Sequence, residues 1–261
     1  MTHVTPKPRL ITLVLAGSRS KGDDPLAAYS NDHKAFIDIG GVPMIEHVIN
    51  ALASVDAIED IWISAPEDIR TRFESIQHTA HSLKFTNACD SPAATIESAI
   101  RAAPNGAELL VTTCDHALLT PEMVYYFLSK IDRDTNDAAA ACVLQETFTA
   151  TYPNAKRTFV RLRDFTFSGA NLFWFKKDAS EPLIEFWRRL EDKRKKPAKM
   201  AAEIGLTIGA LYLAGMLSKE RILSKIKERT NVKVALTPLP FANAAIDVDK
   251  PQDIDLVRSI I

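Results

Sequence analysis

A short apolar run, LITLVLA (Leu10 to Ala16), opens into LAGSRSKG (Leu15 to Gly22), a loop of small residues carrying two cations. Such a loop exposes backbone N–H groups that suit phosphate oxygens, and Arg19 and Lys21 add positive charge. It holds neither G-x-x-x-x-G-K-[ST] nor G-x-G-x-x-G, so it is neither a P-loop nor a dinucleotide fingerprint. Near the other end of the chain, AIDVDKPQDID sets Asp247 and Asp249 two residues apart. In a strand that spacing puts both carboxylates on one face, where they suit a hard divalent cation such as Mg²⁺. Asp249 before Pro251 also suits an Asx-type turn. No H-E-x-x-H pair or G-x-S-x-G elbow occurs, which removes support for protease and hydrolase chemistry. Arg, Lys and Asp without an activated nucleophile fit phosphoryl chemistry, which needs positioning and charge neutralisation more than a protein base.

The elements that must position these groups alternate. LITLVLA reads as a strand covered on both faces. After Gly40-Gly41, Pro43 suits a first helical position, and Met44, Ile45, Val48, Ile49 and Leu52 follow at helical spacing. DIWISA (Asp60 to Ala65) is a second strand, and Pro66 opens a helix to about Gln77. A strand at Leu83 to Thr86 precedes a helix from about Ala93 to Ala103. ELLVTTCD (Glu108 to Asp115) is a further buried strand. Thr120-Pro121-Glu122 reads as cap, first-turn proline and acid near a helix start. This rhythm predicts an α/β fold with a mostly parallel sheet and right-handed crossovers. After Asp137, DAAAACVL and FVRLRDFTFSGANLFWF read as strands and Glu181 to Arg194 as an amphipathic helix. DKRKKPAK reads as a solvated turn. Helices at Ala198 to Leu217 and Lys219 to Arg229 follow, then the strand VKVALTPL. The chain closes as strand, turn and a helix from near Pro251.

Composition bounds the function. The chain has 261 residues, of which 46% are hydrophobic, enough for a full core. A formal charge of −1 gives no reason to expect nucleic acid as a partner. Cys89, Cys114 and Cys142 fit no zinc or disulfide pattern and suit a reducing compartment. The opening MTHVTPKPRL has no apolar signal core, so a cytoplasmic location is expected. IGLTIGALYLAGML (Ile204 to Leu217) is the longest apolar stretch, too short for a transmembrane span. A buried helix is the preferred reading of it, and an acceptor-facing or membrane-touching helix is the alternative.

LAGSRS together with NDHKAFIDIGGVPMIEHVI (Asn31 to Ile49) resembles the opening of a nucleotidyltransferase family. That family includes molybdenum-cofactor guanylyltransferase and the sugar-phosphate nucleotidyltransferases. The match falls on Leu15, Ala16, Gly17, Arg19, Lys34, Ala35, Gly41, Pro43 and Met44. Ser18 stands where a second glycine is usual, and Gly22 to Asp32 lengthens the spacer. The resemblance implies a Rossmann-like three-layer sandwich of the GT-A-like nucleotidyltransferase type with an added helical segment. It implies one domain over 1–261, with a nucleotide-binding half at 1–130 and an acceptor-binding half at 131–261. A helical insertion occupies about 180–230. Leu15, Ala16, Gly17, Ser18, Arg19 and Lys21 would hold the nucleotide, and Arg19 and Lys34 would serve catalysis.

Two later segments fit the same family. TTCDHALLTPEM resembles its G-D-x-P segment, which implies that Asp115 holds Mg²⁺ at a strand's carboxyl end, the edge where open α/β sheets bind ligands. The other reading of Asp115 is a turn residue. AIDVDKPQDID resembles the closing segment of related cytidylyltransferases, so Asp247 or Asp249, the latter preferred, would complete the Mg²⁺ site. SPAATIESAI (Ser91 to Ile100) resembles a base-reading segment through Ser91 and Thr95, and an ordinary helix cap fits as well. Asn171, in FSGANLFWF, suits either acceptor binding or a buried, hydrogen-bonded role.

The implied reaction is Mg²⁺-dependent transfer of an NMP group from an NTP, with GTP or CTP favoured. The acceptor would be a phosphorylated small molecule or lipid-pathway phosphate, and pyrophosphate would leave. A GT-A-type glycosyltransferase using D-V-D at Asp247 to Asp249 is one alternative, and a non-catalytic nucleotide-binding module is another. The helices from Glu181 to Arg229 would cover a bulky acceptor or form a homodimer contact.

Overall fold

Strand β1 (Leu10–Leu15) lies between β4 (Ile58–Ala65) and β6 (Glu108–Thr113), parallel to both. This placement explains its unbroken apolar sequence. Leu10 and Val14 enter one hydrophobic cluster, and Ile11 and Leu13 enter the cluster on the opposite face. These positions come from a computed structural model, which describes residues 8–17, 25–26, 28–30, 33–191, 193 and 203–261.

The remaining strands are β2 (Asp38–Ile39), β3 (Val42–Pro43), β5 (Leu83–Asn87), β7 (Ala138–Leu144), β8 (Val160–Arg161), β9 (Thr166–Lys176) and β10 (Val234–Pro238). The main sheet runs β10-β7-β9-β6-β1-β4-β5, with β8 paired to β9. All neighbouring pairs are parallel except those that β9 makes with β6, β7 and β8. The chain leaves β1 toward β4 and β5 and later returns to place β6 on its other side. That reversal opens a crevice at the carboxyl ends of β1 and β6.

Helices α1 (Met44–Ala53), α4 (Pro121–Ser129) and α9 (Pro251–Ile260) bury apolar faces in one cluster. Helices α3 (Pro92–Ala102) and α6 (Lys177–Glu191) serve the other. Three shorter or outlying helices are α2 (Arg70–Glu74), α5 (Gln145–Thr151) and α7 (Leu206–Leu213), and α8 (Lys219–Thr230) precedes β10. The result is a three-layer α/β sandwich, as the alternation predicts. Thr120 caps α4 by accepting from the Met123 amide, and Pro121 takes its first turn.

Several local expectations need correction. Pro43 ends β3 and precedes α1 instead of opening the helix. Gly40 and Gly41, at φ 65° and 92°, make the two-residue turn between β2 and β3, which requires positive φ at both centres. The segment after Pro66 forms a 3-10 turn (Glu67–Ile69) and the five-residue α2, not one helix to Gln77. Helix α5 was not foreseen. No strand forms at Ile246 to Asp249; a 3-10 turn (Ala242–Ala245) leads into an extended stretch there. The apolar run expected to be a buried helix is short and open: Leu206 is 72% exposed and Leu213 is 88% exposed. Most of DKRKKPAK and the start of the helix expected from Ala198 lie outside the described residues. Among the described residues no helix is long and apolar enough to cross a membrane.

Candidate active site

The crevice between β1 and β6 is built by the ends of both strands. Ala16 donates its amide to the Ser64 carbonyl at 2.8 Å, and Cys114 donates to the Leu15 carbonyl at 3.0 Å. The Ala16 amide is therefore used by the sheet and is not free for a phosphate, contrary to expectation. Leu15 is the last residue of β1, and Gly17 stands exposed beyond it. A Cβ on Gly17 would meet only the Ala88 methyl, at 4.0 Å. Ser18, Arg19 and Lys21 lie outside the described residues.

Lys34 reaches this crevice from a short 3-10 turn (Lys34–Phe36). His33 caps the turn, its Nδ1 accepting from the Ala35 amide at 3.1 Å. The His33 ring is buried and meets Phe36 and Phe73 edge-on, while Phe36 and Phe73 pack at 4.7 Å. Arg72 lies over Phe36 at 4.3 Å. With the turn so anchored, the Lys34 ammonium forms an ion pair with Asp115, whose other oxygen accepts from the Thr113 hydroxyl.

Asp115 is 6% exposed. Burial alone would raise its pKa, but the charge and hydrogen bond of Lys34, with the bond from Thr113, outweigh it. The carboxyl is held below its ordinary range. Burial opposes charge on Lys34 as well; Asp115, with help from Asp249, overrides it and holds the ammonium protonated above its ordinary range. Beside them Cys114 is buried, which pushes its thiol up to about 12. Cys114 is thus a neutral packing group and not a nucleophile. Burial pushes His116 down to about 4 against the pull of Asp115 and Asp247. Its Nδ1 lies 3.3 Å from the Thr112 hydroxyl.

The closing segment reaches the same place. Val248 donates its amide to the Asp115 carbonyl at 3.0 Å. Ile246 and Val248 are buried, and Asp247 and Asp249 alternate with them. Their carboxylates serve different neighbours. Asp249 contributes to the field at Lys34. Asp247 forms an ion pair with Arg157 and accepts from the Asn171 amide at 3.0 Å. Among the described residues, Asp115, Asp247 and Asp249 do not form a ready cluster of converging ligand atoms. Asp247 is thus tied to Arg157 and Asn171.

Asn171 owes its position to a bulge. Between the pairs Ala140–Phe173 and Cys142–Gly169, one residue of β7 opposes three of β9. Asn171 there takes φ 42°, a left-handed conformation that asparagine tolerates. It holds Asp247. Ser91 and Thr95 are engaged in the cap of α3. The Ser91 hydroxyl accepts from the Ala94 amide at 3.2 Å. The Thr95 hydroxyl donates to the Ser91 carbonyl and accepts from the Cys89 amide, both at 3.0 Å. The cap reading therefore describes both residues. Arg157, Thr113 and His116 were missed by sequence reasoning. Only Thr113, two residues before Asp115 in T-T-C-D, carried a usable signal.

Solved structures share this architecture. A hypothetical transferase of Thermus thermophilus aligns with TM-score 0.77 and 24% identity, over 94% of this chain and 99% of that one. 4-Diphosphocytidyl-2C-methyl-D-erythritol synthase of Anaerococcus prevotii aligns with TM-score 0.60 and 12% identity, over 97% and 96%. CMP:2-keto-3-deoxy-manno-octonic acid synthetase, complexed with CTP, aligns with TM-score 0.56 and 14% identity, over 97% and 98%. At these identities the likeness establishes the fold. No curated protein sequence matches significantly. The family profile of the MobA-like NTP transferase domain matches residues 12–198, which span β1, the Lys34 turn, Asp115 and Asn171. By that match the chain belongs to the MobA-like NTP transferase family, whose general activity is nucleotidyl transfer.

Proposed function

We propose that residues 1–261 act as one unit that transfers an NMP group from an NTP to a phosphorylated acceptor, with Mg²⁺ and release of pyrophosphate. The observation that carries this reading is the convergence of Lys34 and the Asp249 segment on Asp115 at the crevice between β1 and β6. Lys34 neutralises charge on the phosphate undergoing attack. The Val248–Asp115 bond fixes the height of Asp115 at the strand end. The exposed turn at Gly17 leaves room for a phosphate to approach the backbone, and Arg19 and Lys21 supply further positive charge.

The donor set fits Mg²⁺. That ion takes one or two carboxylates and completes its shell with phosphate and water. Asp115, which shares its oxygens with Lys34 and Thr113, and Asp249 would offer such oxygens, and Asp247, held by Arg157 and Asn171, acts as a positioning group. When bound, Mg²⁺ supplies neutralisation of the developing phosphate charge. The CTP complexed with one structural neighbour supports CTP as the donor, and GTP is the other candidate.

Asp115→Asn tests the proposal. Pyrophosphate release from CTP or GTP, assayed with a panel of phosphorylated acceptors, should fall about a thousandfold or more for loss of such a group. Undiminished turnover would remove Asp115 from the mechanism. Thermal shift of the wild type with each of the four NTPs identifies the base, because the tightest ligand raises the melting temperature most.

A further inference from the structure

Helix α7, LTIGALYL, contains no charged residue, and its exposure is inverted. Leu206, Ala210 and Leu213 follow at i, i+4 and i+7, so they share one face, and all three are exposed. Ile208 is the residue this helix buries. Met216 just beyond the helix is 58% exposed, and Tyr212, on the Ile208 side, is 44% exposed. An apolar helix of this kind needs a cover in the working protein.

The charge around it identifies the cover. A cleft of about 660 Å³ separates α7 from α8 and is lined by Leu206 and by Arg221, Lys225 and Arg229. These three cations recur every four residues and so form one row along α8. Glu228 is the acid of the cleft, and it pairs with Lys225. Arg163 donates its amide to the Leu217 carbonyl at 2.8 Å, so the β8–β9 turn with Arg161 and Arg163 abuts the end of this surface. Apolar side chains beside a basic row match an anionic bilayer surface, where apolar groups enter the acyl boundary and cations meet lipid phosphates. A second copy of the chain would instead set basic row against basic row.

We propose that α7 and the cationic face of α8 dock the protein on anionic membranes. The β8–β9 hairpin joins this surface to the carboxyl edge of the sheet. Strand β9 runs antiparallel to β6, and its first residues extend past Thr112 toward the end of β6 that bears Asp115. Docking therefore brings a bilayer-held phosphate toward the crevice. The docking claim itself does not rest on the proposed reaction.

Flotation of the full-length protein with vesicles tests it without any activity assay. Vesicles containing phosphatidylglycerol should carry the protein, pure phosphatidylcholine vesicles should not, and added salt should weaken the binding. Arg221→Gln combined with Lys225→Gln should lower partitioning more than about tenfold, from the loss of two surface cations. Leu206→Ser combined with Leu213→Ser should lower it as well while leaving thermal unfolding unchanged. Failure to float with anionic vesicles overturns the proposal, as does equal binding to both compositions. A wild-type dimer that Leu213→Glu converts to a monomer, seen by light scattering, also overturns it and makes this face a contact between copies.

Discussion

The crevice between β1 and β6 and the flank formed by α7 and α8 are built from similar residues in opposite settings. At the crevice, Leu13 and Val14 are fully buried and the charges of Lys34 and Asp115 are paired nearly out of water. On the flank, Leu206 and Leu213 face solvent beside a row of cations that lines an open cleft. The difference teaches what each residue is for. Burial makes a side chain answer to the fold, and exposure leaves it answerable to a partner.

Substitutions can break or sharpen that contrast. Lys34→Met should have the largest effect. It leaves Asp115 buried without its cation, which costs on the order of 3–5 kcal/mol, and turnover should be lost. Urea unfolding with and without the substitution measures the first, and a variant as stable as wild type would show that the pair is not held by burial. Leu13→Ala should cost about 2–5 kcal/mol by the same measurement, because the gap opens inside a filled core. The next effect is one of pH. The unfolded His116 imidazole takes a proton near 6.5 and the folded one near 4. Between those values only the unfolded state is protonated, so stability falls as pH falls, by up to about 3 kcal/mol. Asp115, held below 3.8, loses its own contribution only at still lower pH. His116→Gln should flatten the decline between 6.5 and 4 in urea midpoints taken across that window. Leu213→Ser should change the midpoint by less than about 0.5 kcal/mol. A larger loss would mean that the flank is structural after all.

The same contrast explains how far the sequence could be read. Strands β1 and β6 and the Thr120-Pro121 start of α4 were legible because their signals are local: an apolar run, a capping hydroxyl and a first-turn proline. Lys34 and Asp115 lie 81 residues apart and could be linked only through the family spacing. Arg157 was invisible because it comes from an irregular segment between α5 and β8, where no period marks which side chain turns inward. Helix α5, seven residues with three threonines, lacks both the length and the apolar stripe of a readable helix. Helix α7 was misjudged for a different reason: an apolar sequence states that a surface avoids water, not that the same chain covers it. The D-V-D spacing implies a strand that does not form, and spacing says nothing about which neighbours claim each carboxylate.

The bond from the Val248 amide to the Asp115 carbonyl ties the end of the chain to its middle, and Arg258 in α9 adds a bond to the Asp38 carbonyl at 2.7 Å. Strands β1, β4, β5 and β6 pair with one another without residues 246–261. The setting of Lys34 and Asp115 is complete only when this late segment docks and brings the charge of Asp249 to bear on the ammonium.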